Sequence, residues 1–264
     1  MNVQPAKPYT TQLQAGLGLV NETKTLLELW APGMTSVQLQ QVALDSGRFP
    51  NVTARRLRNV IVECFAPRYL VANGTPASHL KRLALGLTTA DLTQLMLMFT
   101  SRANSILGDF VRQVYWARYA GGYTNVANED ARAFVQRGID DGKTIKAWSP
   151  TTIRRVSAYL TGCCADYGML EKGLRSNRRI LPFRIASSVA AYLAYELHHA
   201  GVGDNALLTH PDWQLFGMAR EDVLEEVKRL SLKGQLIVQS AGDAVRISWK
   251  QQDMEALCDV LAQG

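Results

Sequence analysis

The feature that most constrains this chain is the spacing of its apolar residues. Between one Pro/Gly break and the next they recur three and four apart, the period of a helix with one buried face. Period-two alternation is confined to a short stretch near the C-terminus. Thr25–Trp30 reads as a short amphipathic helix that breaks at Pro32-Gly33. Ser36 is placed to cap a helix from Val37 to about Asp45, with Leu39, Val42 and Ala43 on one face. After a turn from Gly47 to Pro50, Thr53 caps a helix whose Leu57, Val60, Ile61 and Cys64 share a face, and Pro67 is expected to end it. Further helices are expected over Ala77–Leu85, Thr89–Ser101, Ser105–Ala120, Glu129–Arg137 and from Ser149-Pro150 to about Gly168. Glu171–Phe183 is basic and irregular, with room for a short hairpin. Helical patterning resumes at Ile185–Ala200, the short Asn205–Thr209 and Pro211–Phe216, and Glu221–Leu232. Leu236–Gln239 and Ala244–Trp249 flank Ala241-Gly242-Asp243 as a β-hairpin, and Asp253–Leu261 forms a last helix.

The expected fold is therefore mainly α, a multi-helix globule with two helix-turn-helix units and a short C-terminal hairpin wing. One unit covers 36–66; the other, at 204–249, has the helix, turn, helix, hairpin order of a winged helix. The expected organisation is an N-terminal helical region (1–122), a polar connecting stretch (123–148) and a C-terminal helical region (149–264). Hydrophobic residues make up 47% of the 264, enough for a real core. The four cysteines form no C-x-x-C pair, and vicinal Cys163-Cys164 cannot easily close a disulfide, which points to reduced thiols in the cytoplasm. The longest apolar runs are too short or too polar to span a bilayer, and the N-terminus lacks a secretion-signal pattern. No membrane partner is expected.

Charge is unevenly placed. Residues 48–118 hold ten Lys/Arg against three Asp/Glu, and 154–184 hold seven against two, whereas 185–264 hold six against eleven. Two basic blocks and an acidic tail suit the steering of a polyanion to one part of the surface. Arginine outnumbers lysine 20 to 9, and its planar fork matches phosphate. In the first block Arg55, Arg56 and Arg58 open the second helix of a helix-turn-helix, where such helices meet DNA. In the second, Arg154 and Arg155 open a helix, and Arg175, Arg178, Arg179 and Arg184 follow in a polar loop suited to clamping phosphates. The structural alternatives are solvated helix faces and arginines paired with Asp166, Glu171 or the acidic tail. In the winged unit the presumed recognition helix carries Glu221, Asp222, Glu225 and Glu226, which repel phosphate, so a protein partner suits it better than DNA.

No catalytic pattern emerges. His198-His199 lack H-E-x-x-H spacing, His210-Pro-Asp212 has no companion ligands, and Gly16-x-Gly18 follows no strand. Neither a phosphate-binding P-loop nor a nucleophile elbow is present. No catalytic residue, metal ligand, cofactor or small-molecule substrate is expected.

Several segments resemble the BrxA family of bacteriophage-exclusion (BREX) systems: ETKTLLELW, RRLRN…ECFAPRYL, GDFVRQVYWARY, WSPTTIRRVSAYL, and AYLAYELHHAGV followed by HPDWQLFGM. That resemblance implies an all-helical globule related to the antitermination factor NusB, with helix-turn-helix elements flanking a positive surface that binds double-stranded DNA. It also implies a core component of a phage-exclusion locus; with no catalytic pattern in the residues the expected part is non-enzymatic, and the acidic C-terminal unit suits contact with other BREX proteins. An interaction scaffold and, through the NusB likeness, an RNA-binding protein stand as alternatives.

Overall fold

The computed structural model describes residues 7–173 and 176–263. Its first helices are α1 (Val20–Leu29), α2 (Ser36–Asp45), α3 (Ala54–Asn59), α4 (Ala66–Tyr69), α5 (Thr75–Leu83), α6 (Thr89–Ala103), α7 (Ser105–Phe110) and α8 (Trp116–Ala120). Strand β1 (Asn125–Ala127), α9 (Asn128–Asp140), α10 (Pro150–Asp166) and β2 (Asn177–Arg179) follow. The chain continues with α11 (Ser187–His199), α12 (Asp204–Leu207), α13 (Arg220–Leu232), β3 (Leu236–Ala241), β4 (Ala244–Trp249) and α14 (Met254–Gln263). The protein is mainly helical, and β3 and β4 form the expected antiparallel C-terminal hairpin.

Local chemistry explains the departures from expectation. α2 is capped by Thr35, one residue before Ser36, because Gln38 completes a capping box with it. Pro67 does not end its helix: a π-helical segment, Val60–Phe65, joins α3 to α4, with the Ala66 amide bonding back to Ile61. That wider turn shifts the ladder just ahead of Pro67, which sits in the first turn of α4, where its missing N–H costs nothing. A second π segment, Val111–Tyr115, joins α7 to α8. The Glu171–Phe183 stretch makes a local bridge, Leu170 to Ile180, but its strand β2 pairs antiparallel with distant β1, with Asn125 opposite Arg179. β1 and α9 occupy the polar stretch 123–148.

The chain divides into two compact units, one of residues to Pro76 with Met96–Pro182, the other of Ala77–Leu95 with the residues from Phe183 on.

In the first unit, α9 and α10 pack antiparallel. Asn128 at the start of α9 accepts from the Thr161 hydroxyl near the end of α10 (2.9 Å), while Gln136 and Arg132 face Pro150 and Arg154. The N-terminal segment is held at both ends. The Tyr9 amide bonds to the Lys143 carbonyl (2.7 Å), and the Gly18 amide to the Asp166 carboxylate (2.9 Å). Between them, buried Arg68 donates to the carbonyls of Gly16 (3.1 Å) and Gly18 (3.4 Å). The 3-10 turn Gln12–Ala15 touches both α10 and the π segment 60–65, so this segment ties the α3–α4 helix to α10. Phe65, Tyr69 and Phe99 form an aromatic chain in the core, with centroids 5.2 and 6.2 Å apart.

The second unit is built round α11, whose apolar residues from Val189 to Leu197 are buried. Gln94 grips its entry, donating to the Arg184 carbonyl (2.8 Å) and accepting from the Ala186 amide (2.9 Å). The Tyr195 hydroxyl donates to the Gln235 carbonyl (2.5 Å) and accepts from the Lys250 amide (3.1 Å), fixing both ends of the hairpin. Asp204 and Asn205 of α12 accept from the amides of Ile247 and Val245, covering the edge of β4.

His79, buried against the Tyr192 hydroxyl (2.7 Å), gives this unit a pH dependence. Burial holds its imidazole below the usual range, and burial moves His198 in the same direction. Both histidines are thus neutral in the folded protein over a range where the unfolded chain protonates them. The unfolded state binds more protons below about pH 6.5, so stability falls as pH drops through that value. Urea titrations from about pH 8 to 5 should show this decline, and His79→Gln should make it shallower. An identical decline in the variant would remove His79 from the account.

Candidate nucleic-acid interface

The first basic block enters the structure at the start of α3. The Thr53 hydroxyl accepts from the Arg56 amide (3.2 Å), so the first helical turn begins at Ala54 and presents Arg55, Arg56 and Arg58. All three are exposed, while Leu57 between them is buried. Arg56 bonds the Ala15 carbonyl and so also braces the N-terminal segment. Arg55 and Arg58 make no hydrogen bond or ion pair among the described residues. α2 and α3 keep the helix, turn, helix order, with residues 46–53 between them, longer than the compact ~3–4-residue turn.

The second block enters at the start of α10, where the Ser149 hydroxyl accepts from the Thr152 amide (3.2 Å). Arg154 and Arg155 are exposed on its first turns; Arg155 reaches the Tyr159 hydroxyl at 3.5 Å. Arg154 lines a groove of about 520 Å³ between α9 and α10 that also carries Arg132 and has no carboxylate in its lining. Arg132 reaches Glu129 at 3.5 Å. Along α10, Arg155 stands seven residues, or about 10 Å, from Gly162, beside which Leu17 packs.

The loop arginines separate. Arg178 is buried, at 8% exposure, because alternation along β2 turns it inward, where it donates to the Glu171 carbonyl (3.0 Å). Its neighbour Arg179 is exposed. Arg184 is exposed in the second unit, and Arg175 lies outside the described residues. Arg132, on α9, is a further exposed arginine; it lies in 119–153, which is neutral in sum, so block charge does not single it out. Its position four residues into a helix that packs beside α10 was the signal available.

On α13, Glu221, Asp222 and Glu225 are exposed. Asp222 accepts from the Ala219 amide (2.9 Å) and Glu225 pairs with Lys228 (2.8 Å), which holds its carboxyl below the usual range. Glu226 is buried against Arg229 (2.5 Å).

The four thiols are buried. Burial pushes Cys163 and Cys258 up to about 12 and raises Cys64 and Cys164 as well, which keeps them protonated and unreactive near neutrality. Among the described residues no group of three or more His, Cys, Asp and Glu side chains is placed to hold a metal ion, and no helix is long and apolar enough to cross a membrane.

Fold and side chains together define a mainly helical protein that presents arginine to solvent from the first turns of α3 and α10. The profile of the BrxA family matches residues 7–196, and the chain belongs to that family, a component of BREX phage-defence systems. Its fold is similar to that in the crystal structure of an uncharacterized protein from Magnetospirillum magneticum. The TM-score is 0.56 at 17% identity, over 74% of this chain and 96% of that one. No curated protein matches it.

Proposed function

We propose that the protein is the non-enzymatic double-stranded-DNA-binding component of its BREX system, acting in the cytoplasm and holding the duplex by its phosphate backbone. The observation that carries this reading is the pair Arg55 and Arg58, exposed on the first turns of a capped helix with no partner among the described residues. An unpaired guanidinium has its full fork to offer a phosphate and gives up no internal ion pair to bind it. Arg56, Arg154, Arg155 and Arg179 extend the contact set, with Arg132 beside Arg154 in the groove. Arg175 and Arg184 are further proposed contacts, each open to its own substitution. Arg178 has a structural role, anchoring Glu171, and is left out of it.

In this reading α2 and α3 act as the helix-turn-helix. Contacts that are mostly to phosphate position the duplex without reading its sequence, so little sequence preference is expected. The exposed carboxylates of α13 favour a second, compatible contact, a basic surface on another BREX protein.

Competition titration tests the ligand class. With a labelled 30-mer duplex bound, unlabelled duplexes of unrelated sequence should compete alike, and single-stranded RNA of the same length should compete at least about tenfold more weakly. Equal or better competition by RNA would replace DNA with RNA as the ligand.

A further inference from the structure

A cleft in the first unit, on neither of the arginine-bearing helix starts, has the makings of an anion site. It is about 470 Å³ and is lined by Lys7, Ser101, Arg102, Asp109, Arg112 and Lys143, with the Ser105 side chain at its rim. Four basic side chains face it against one lining carboxylate, Asp109. Even with Asp141 added, whose charge reaches Tyr9, the balance stays positive.

Asp109 is already committed. It accepts from the Tyr9 hydroxyl (2.7 Å) and lies 3.5 Å from Lys143 and 3.6 Å from Arg112, so it positions these groups without neutralising the set. Burial, then the bond to Asp109, hold the Tyr9 phenol protonated, and it remains a donor.

The second observation is Ser101. The residue lines the cleft and is 4% exposed, and its buried hydroxyl has no hydrogen-bond partner among the described residues. A serine inside a helix ordinarily bonds back to the carbonyl one turn earlier. Ser101 does not, and a buried unpaired hydroxyl calls for an explanation.

The backbone of Gly108 brings the two together. A side-chain carbon there would lie 2.8 Å from the Arg112 Nη1 and 3.5 Å from the Ser101 Cβ, so guanidinium and serine are at most 6.3 Å apart. The absence of that carbon lets Arg112 fold back over the helix. Groups this close are within reach of one tetrahedral oxyanion, which can take the serine proton on one oxygen and the guanidinium on another.

We propose that this cleft binds a phosphate group, either that of a free nucleotide or that at the end of a nucleic acid strand. The proposal is independent of backbone binding by Arg55 and Arg58.

Isothermal titration of the full chain with inorganic phosphate at low ionic strength tests it. The expected result is saturable one-to-one binding, weakened at least about tenfold by Ser101→Ala and by Arg112→Gln. Circular dichroism melts of both variants check that the fold is kept, and Ser101→Ala, which removes one unpaired atom, should melt at or above the parent temperature. No saturable binding, or binding untouched in folded variants, overturns the proposal. Two further arms identify the source. Tighter binding of a short duplex with 5′-phosphates than of one with 5′-hydroxyls, lost in Arg112→Gln, assigns the cleft to strand ends. Equal binding of the two duplexes, with adenosine monophosphate displacing inorganic phosphate, assigns it to nucleotides.

Discussion

Arg68→Ala is expected to lower stability by about 3–5 kcal/mol, the larger part from the cavity and the rest from an unpaired carbonyl. Arg68 is 3% exposed and has no carboxylate beside it among the described residues; it donates to the carbonyls of Gly16 and Gly18. Alanine leaves the Gly16 carbonyl unpaired and a void the size of the arginine stem. The Gly18 carbonyl keeps the Tyr167 hydroxyl, at 3.3 Å. Arg68→Met separates the two contributions, because methionine fills most of the volume and supplies no donor. It should recover about half the loss. Loosening the Gly16–Gly18 segment also frees Ala15, the anchor of Arg56, so DNA affinity should fall in Arg68→Met even where the protein is folded. Chemical denaturation of both variants checks this, and a loss under about 1 kcal/mol for alanine would mean that the arginine is not holding the segment.

The triple change Arg55→Ala, Arg56→Ala, Arg58→Ala is expected to weaken duplex binding about 10²–10³-fold at ~0.1 M salt. Each phosphate contact releases close to one condensed counterion, worth about 0.9 of a decade in affinity at that concentration. Because these contacts are to phosphate, duplexes of unrelated sequence should lose affinity alike. The singles should differ in kind. Arg55→Ala and Arg58→Ala remove exposed side chains that have no partner among the described residues, so melting should be unchanged and binding alone should drop. Arg56→Ala also releases the Ala15 carbonyl, so it should lower stability as well as affinity. Gel shifts and thermal melts on the four variants separate these outcomes. Unchanged affinity in the triple variant would take α3 out of the interface.

Much of the helical skeleton was legible because local rules suffice for it. The caps at Thr53 and Ser149 and the C-terminal hairpin need only neighbouring residues. What escaped depends on distant residues or on direction. The pairing of β1 with β2 joins two three-residue strands some fifty positions apart, with no alternation to announce it. The joining of Ala77–Leu95 with residues beyond Phe183 cannot be read from linear order. Charge counting does not say which way an arginine points. Arg68 nonetheless carried a signal: Leu57, Ile61, Cys64 and Arg68 follow one another four, three and four apart, so it falls on the buried stripe of its helix. The phosphate cleft draws on three separate segments, near Lys7, Ser101–Arg112 and Lys143, and only the fold assembles it.

If exposed arginines hold a duplex by its phosphates, binding depends steeply on salt, and a salt titration measures that directly. With about five phosphates contacted, a plot of log affinity against log salt concentration should fall with a slope near −4 to −5, becoming shallower by about 2–3 in the Arg55/Arg56/Arg58 triple variant. A slope near zero, or one that the triple variant leaves unchanged, would mean that these arginines do not hold the duplex.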